Sequence, residues 1–352
     1  MKNNYSPTSL QILHRCSRQW VLSEVKYLQP TEKSPYLESG TLVHAALERI
    51  YRGQPWQEPF DQATRTLLAS DASGGILEKR LTIGRQLLME YPDFYRGEFI
   101  VPLAVECPVK VPLPGVPDAF ITGKIDLIAR NCSNGHLLVM DHKTASDFSS
   151  YEDESMARDL QFATYSWLAS VLWPFEQVDF AVNVLRMKEV KDPVITTTGQ
   201  VSRDRQVATT PRRVRETLRA RGVDPAGFQS YLQQLKSESQ FFRRCAVAVT
   251  RKANDIVPTL QRTVWLARQV EEGRMGPVGV AHADQSCKWG CDFHDVCFLM
   301  EATGLQDLDR YKTMLAPSTW YTSGSKDYTT PDTAADRLRE WTANPLPGLG
   351  TL

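Results

Sequence analysis

Between residues 105 and 143 the chain changes from helical to two-residue periodicity, and its turn there brings two carboxylates face to face. Val105, Cys107, Val109, Val111 and Leu113 alternate as in a half-buried strand. Pro108 and Pro112 interrupt that run. Proline donates no ladder hydrogen bond, so the strand belongs at an edge or bulge. Residues 119 to 129 and 137 to 143 read as two further strands, separated by the turn dipeptide Asn134-Gly135. A hairpin turning between Ser133 and Asn134 sets Asp126 opposite Asp141, with Cβ atoms about 5 Å apart. Lys143 projects from the same face as Asp141, because strand side chains repeat every two residues. Opposed like charges are destabilising unless a cation lies between them, and hard oxygen ligands suit Mg2+ or Mn2+. Lys143 beside such an ion could orient or deprotonate a water, or stabilise charge on a phosphate. The same residues also fit a plain surface ion pair between Asp126 and Lys143.

The flanking segments are mostly helical. Residues 6 to 29 read as one helix opened by Ser6 and Pro7, and residues 40 to 52 as a second that carries His44. Residues 60 to 95 are helical around a loop at 73 to 75. Residues 155 to 173 form a helix in which Gln161 and Tyr165, four apart, share a face. A strand follows at 178 to 187, then a loop or hairpin at 188 to 210, a basic helix from Thr210-Pro211, and a helix at 256 to 272. This order predicts an α/β fold, one central mixed sheet flanked by helices. Glu106, off the apolar face one strand before Asp126, reads as a further metal ligand or as a solvated strand glutamate. The apolar runs are too short to span a membrane and the N-terminus lacks a signal region, so a cytoplasmic protein is expected. No G-x-x-x-x-G-K-[ST] run is present, so the chain has no ATP motor of its own.

Seven cysteines, an odd number, argue against a disulfide scaffold. Cys287-x3-Cys291-x5-Cys297 has ligand-like spacing and needs a fourth partner. Cys16 is the best candidate, with His294 or His282 as stand-in ligands for Zn2+. Cys107, Cys132 and Cys245 read as packing residues.

Lys and Arg total 41, as do Asp and Glu, which excludes a uniformly basic sheath but not a local patch. Residues 186 to 221 hold ten Lys and Arg against four acids. In the helix that Pro211 starts, Arg212, Arg215 and Arg219 form a stripe opposite the apolar Val214 and Leu218. The stripe reads as a solvated face or, with a nucleic-acid substrate, as a phosphate track.

Gly40 to His44, Gly123-Lys124-Ile125-Asp126, Asp141-His142-Lys143 and Gln161-xxx-Tyr165 occur in the order seen in RecB-type nucleases of the PD-(D/E)XK superfamily. The chain resembles that family over roughly residues 6 to 300. The resemblance implies a restriction-endonuclease-like core and a metal-dependent DNA nuclease. His44, Asp126 and Asp141 would bind metal, and Lys143 would be catalytic. Gln161 and Tyr165 would organise the site or touch DNA. Asp141 stands where many relatives carry Glu. The cysteines resemble the four-cysteine variant found in CRISPR-associated Cas-four exonucleases and the AddB nuclease domain. There one early and three late cysteines hold a 4Fe-4S cluster that staples the two ends of the domain. The usual late spacing is C-x2-C-x5-C, one residue shorter than here, which keeps Zn2+ as the alternative.

The resulting expectation is a nuclease domain over 1–302, with a helical insertion at about 45–100. A Pro/Gly-rich tail over 303–352 is expected to be partly disordered or docked. The expected activity is a single-strand or end-directed exonuclease in recombination, repair or CRISPR adaptation, with DNA and proteins of those processes as partners. The alternative is a non-catalytic DNA-binding partner with a retained nuclease fold.

Overall fold

The computed structural model describes residues 2–31, 34–70, 75–149, 156, 159–198, 200–202, 207–247, 253–274, 276, 279, 287, 291–304, 307–318 and 327–350. Strand β1 (Asn4–Tyr5) leads into α1 (Pro7–Arg15), which starts where the Ser6 hydroxyl accepts from the Ser9 N–H. The single helix expected over 6 to 29 is broken. Cys16 has extended backbone (φ −157°, ψ 112°), and α2 (Ser17–Trp20) runs into one π-helical turn, Val21–Val25. After β2 (Leu28–Pro30) come α3 (Pro35–Tyr51), α4 (Gln57–Leu68) and α5 (Ile76–Phe94).

The sheet strands follow. They are β3 (Ile100–Pro112), β4 (Phe120–Asn131), β5 (Leu137–Ala145), β6 (Val178–Arg186) and β7 (Phe242–Ala246). Helix α6 (Leu160–Leu172) connects β5 to β6, while α7 (Pro211–Ala220) and α8 (Gln229–Ser237) precede β7. The chain closes with α9 (Val257–Glu271), α10 (His294–Thr303), β8 (Leu315–Pro317) and α11 (Ala334–Ala343). Sequence periodicity missed α8 and β7. In β7 the pair Arg243 and Arg244 hides the alternation of a strand.

Strand order is β1-β4-β5-β6-β7, with β3 on the other side of β4. β1 is parallel to β4 and β5 to β6, and the remaining pairs are antiparallel, giving the expected mixed sheet. One face is covered by α1, α6 and α9, through Leu10, Trp167, Leu168, Leu260 and Val264. The other is covered by α3 and α5, through Val43, Leu47, Leu87 and Tyr91. The prolines of β3 lie on an edge strand, as their missing donors require. The tail helps to cover that edge. Thr329 bridges Val109, its N–H donating to Pro108 O, and the Leu346 N–H donates to Pro102 O. The described part of the tail is docked, since Ala334 and Leu338 join the main core and β8 pairs with β2. No helix among the described residues is long and apolar enough to cross a membrane.

Candidate active site

The site lies where β4 and β5 part. β3 runs along one whole edge of β4, so β1 and β5 share the other edge. β1 takes Phe120 and Ile121, and β5 takes Leu127 to Arg130. Leu127 opposes Met140 and Arg130 opposes Leu137, which is the register the hairpin turn predicts. Asp126 and Asp141 are the next step along, just past the last paired residues. There a side chain replaces the ladder, and the His142 N–H donates to Asp126 Oδ2 at 2.7 Å.

On the far side of β4, Glu106 falls between the pairs Val105–Leu127 and Cys107–Ile125, so it stands opposite Asp126. Its φ of 51° is in the left-handed region, which costs a non-glycine residue about 1–3 kcal/mol. Glu106, Asp126 and Asp141 thus form one cross-strand row on three neighbouring strands. His44 reaches the row from α3, with Nδ1 3.5 Å from Asp126 Oδ2. That approach depends on Gly40, one turn earlier, where a Cβ would lie 3.1 Å from Thr144 Oγ1 of β5. His44, Glu106 and Asp126 each offer a ligand atom, all within 4.8 Å of one another. Two carboxylates and an imidazole at that spacing fit a divalent cation of the Mg2+ or Mn2+ class.

Asp141 is buried, and its Oδ2 lies 2.8 Å from Lys143 Nζ. Burial raises the Asp141 pKa, Lys143 opposes that rise, and Asp126 adds to it. Burial and Asp126 likewise raise Glu106, against the pull of its ion pair with Lys124. For Lys143, burial favours the neutral amine, but Asp141, Asp126 and Tyr165 together outweigh burial and the pKa rises, so the side chain is held as an ammonium. Tyr165 donates from its hydroxyl to Lys124 O at 3.2 Å, and its ring packs on Gly123, where a Cβ would meet Cε1 at 2.9 Å. The glycine of the Gly-Lys-Ile-Asp run thereby admits Tyr165 beneath β4. Gln161 is half-buried in the first turn of α6, capped by Asp159, one turn before Tyr165.

The opposite face of β5 holds a polar cluster that periodicity did not reveal. His142 is buried and stacks on Tyr51, with ring centroids 5.6 Å apart. Its Nδ1 lies 2.9 Å from Asn183 Nδ2, which also donates to the Tyr91 hydroxyl. Tyr95 donates to Asn183 Oδ1, and Arg244 donates to Tyr51 and Tyr91 while pairing with Glu98. Burial, then His44, depress the His142 pKa to about 3. The only sequence signal was polar residues at strand positions with apolar neighbours.

The cysteines are brought into one neighbourhood. Burial raises the Cys291 thiol to about 11, with Cys16 and Cys287 adding to the rise, and Cys16 also raises Cys297. A bound cation would reverse the rise at Cys291 and Cys297 by favouring their thiolates. Gly279 crosses the chain directly after Cys16, its Cβ position 2.9 Å from Ser17 C and O. Arg18 donates to Cys297 Sγ at 3.3 Å. His294 turns to Asp295, at 2.8 Å, and His282 lies outside the described residues. Cys107 and Cys245 are buried as expected, but Cys132 is exposed in the β4–β5 turn and packs no core.

The basic stripe on α7 behaves differently from a free track. Val214 and Leu218 are buried, and Thr210 caps the helix. Arg212 donates to Met89 O at 2.7 Å and to Glu216, and approaches the buried Glu90. Arg215 pairs with Asp93 at 2.8 Å. These two guanidiniums fasten α7 to α5, while Arg219 remains exposed.

The family model described as the PD-(D/E)XK nuclease superfamily matches residues 4–298. No curated protein matches the chain. Among solved structures, the crystal structure of SSO0001 is similar at 15% identity and a TM-score of 0.34, over 84% of this chain and 86% of that one. A likeness that weak carries no argument.

Proposed function

The chain belongs to the PD-(D/E)XK nuclease superfamily, and from that premise we propose that it is a RecB-type, metal-dependent deoxyribonuclease acting on single-stranded or frayed ends. The observation that carries this reading is the convergence of His44, Glu106 and Asp126 beside the Asp141–Lys143 pair. His44, Asp126 and Asp141, with Glu106, are assigned to hold Mg2+ or Mn2+. Such an ion supplies Lewis-acid polarisation of a phosphoryl oxygen. The residues themselves supply position and charge. Lys143, held as an ammonium, is placed to stabilise negative charge on the phosphate rather than to remove a proton. Tyr165 keeps β4 at its distance from α6, and Gln161 stands in the turn before it.

Cys16, Cys287, Cys291 and Cys297 are assigned to a 4Fe-4S cluster, with Zn2+ as the alternative. Its role is structural, joining the start of the chain to α10. The RecB, Cas-four and AddB likeness rests on the four motifs and on this cysteine arrangement. A part in recombination, repair or CRISPR adaptation follows from that likeness.

The test is incubation with end-labelled linear and circular single-stranded DNA, with Mn2+ or Mg2+ and with EDTA. Metal-dependent shortening from an end supports the reading. Nicking of circles replaces exonuclease with endonuclease. Tight binding without cleavage under either metal leaves only a non-catalytic partner.

A further inference from the structure

A second group of cations lies on the same sheet face as Asp141 and Lys143. In register, Lys143 pairs with Val184 and Ala145 with Arg186, while Val184 pairs with Arg243 of β7. Residues opposed across a ladder share a face, so Arg186 and Arg243 project on the side of Asp141 and Lys143. Phe148, just past β5, lies between them. The Arg243 guanidinium is 4.7 Å from its ring centroid and that of Arg186 is 5.8 Å. Arg186 is fixed by donating from Nε to Ser146 O at 3.0 Å.

Arg186 acts on one carboxylate, that of Asp147, whose pKa it helps to lower behind the hydrogen bonds from Ser149. Among the described residues neither Arg186 nor Arg243 forms an ion pair with a carboxylate, whereas Arg212 and Arg215 on α7 are engaged by Glu90, Glu216 and Asp93. Lys188 adds a further cation, its pKa lowered by burial and then by Arg186 and Lys191. Guanidiniums laid on an aromatic ring offer phosphate donors and a flat stacking surface together, the combination that single-stranded nucleic acid uses. Ala145 lies four residues past Asp141, about 13 Å along the strand. A stacked strand rises about 3.4 Å per nucleotide, which sets the group some four nucleotides from the metal row.

We propose that Phe148, Arg186 and Arg243 form a strand-holding subsite that binds the phosphate backbone of single-stranded nucleic acid next to the metal row. The subsite rests on the nuclease reading for its ligand. It is tested on the full chain by titrating a labelled oligothymidylate against salt in EDTA, with cleavage in Mn2+ measured separately. Arg186→Gln/Arg243→Gln should reduce the salt slope by roughly 1.4, at about 0.7 per lost phosphate contact. It should raise KM while leaving kcat near wild type. Arg243→Gln alone, at an exposed position, should remove about half of that slope and serves if the double variant unfolds. Phe148→Leu should weaken binding without changing the slope.

An unchanged slope in both arginine variants overturns the subsite, and the more so if Arg212→Ala/Arg215→Ala/Arg219→Ala flattens it, since the strand then follows α7. In a wild type that cleaves, that result leaves the nuclease reading standing. If the slope falls as expected but no metal supports cleavage, the subsite stands and the nuclease reading fails. A wild type that neither binds nor cleaves removes both.

Discussion

Asp141 and His142 are neighbours on one strand, both buried, and they face opposite electrostatic circumstances. On the Asp141 side, three carboxylates stand in a row, with Lys124 on Glu106 and Lys143 on Asp141. Asp126 is left with a backbone N–H and His44. On the His142 side, Asn183, three tyrosines, Arg244 and Glu98 link one cation and one anion through neutral hydroxyls and an amide. The first cluster gathers more negative charge than its own residues neutralise, which is what a metal site requires. The second is balanced and binds helix α5 to the sheet. Buried polar residues alone therefore do not mark function in this chain. The proposed site differs from the other cluster in the sign and closure of its charge.

The comparison can be broken most sharply at the row. Asp126→Asn keeps an acceptor for the His142 N–H and removes the charge. Cleavage should fall by at least about a hundredfold, the scale of losing one electrostatic catalytic group. Asp141→Asn and Lys143→Ala should be equally damaging. Metal-free thermal stability of Asp126→Asn should equal or exceed wild type, because a like-charge contact is relieved. Wild-type rates in all three would end the assignment.

The converse experiment is Asn183→Leu. It strands His142 Nδ1 and takes the acceptor from the Tyr95 hydroxyl, while Tyr91 keeps Tyr51 and Arg244, so denaturant unfolding should show a loss of about 2–4 kcal/mol. Cleavage at saturating metal, measured where the protein is still folded, should stay within a few-fold. A kinetic loss without a stability loss would mean that the two faces act as one site.

Acid should separate the faces by a smaller amount. His142 has a folded pKa near 3, far below the ordinary imidazole value. Below about pH 6.5 the unfolded chain takes up a proton that the folded chain refuses, so the unfolded state binds more protons and stability falls with falling pH. The slope is about 1.4 kcal/mol per pH unit within that window, and the stability is fully regained above it. A cation near His44 would depress His142 further, so the sign is the same with metal bound. Equilibrium unfolding of wild type and His142→Gln from pH 7 to 5 checks this, since the variant should lack that slope.

The mildest break lies away from both faces. Cys16→Ser should abolish bound iron or zinc by elemental analysis and remove any absorbance near 400 nm expected of an iron–sulfur centre. The fold should persist at reduced thermal stability, because Leu22, Phe293, Val296, Met300 and Leu315 already pack the start of the chain against α10 and the tail. Retained metal in Cys16→Ser would exclude this residue as a ligand.

Much of the site was legible in local sequence. Two-residue alternation and the Asn134-Gly135 turn were enough for the hairpin register, because a one-residue slip would turn every apolar residue of β4 and β5 to the wrong face. The prolines fixed β3 as an edge, and the Thr210-Pro211 pair fixed the start of α7, since both act through backbone geometry within a few residues. What stayed hidden depends on partners distant in the chain. Glu106 read equally as a further ligand or as a solvated strand glutamate, and its place opposite Asp126 with a left-handed backbone is what sets it in the row. His142 looked like a spacer between Asp141 and Lys143 until Asn183 and Tyr91 arrived from β6 and α5. Arg212 and Arg215 formed a stripe on paper, and Glu90, Asp93 and Glu216 decided that two of its charges are spent inside the protein. Periodicity determines which face a side chain takes, because that is a property of one element. Whether its charge is neutralised there is decided by what other elements bring within about 4 Å, and only the tertiary structure sets that.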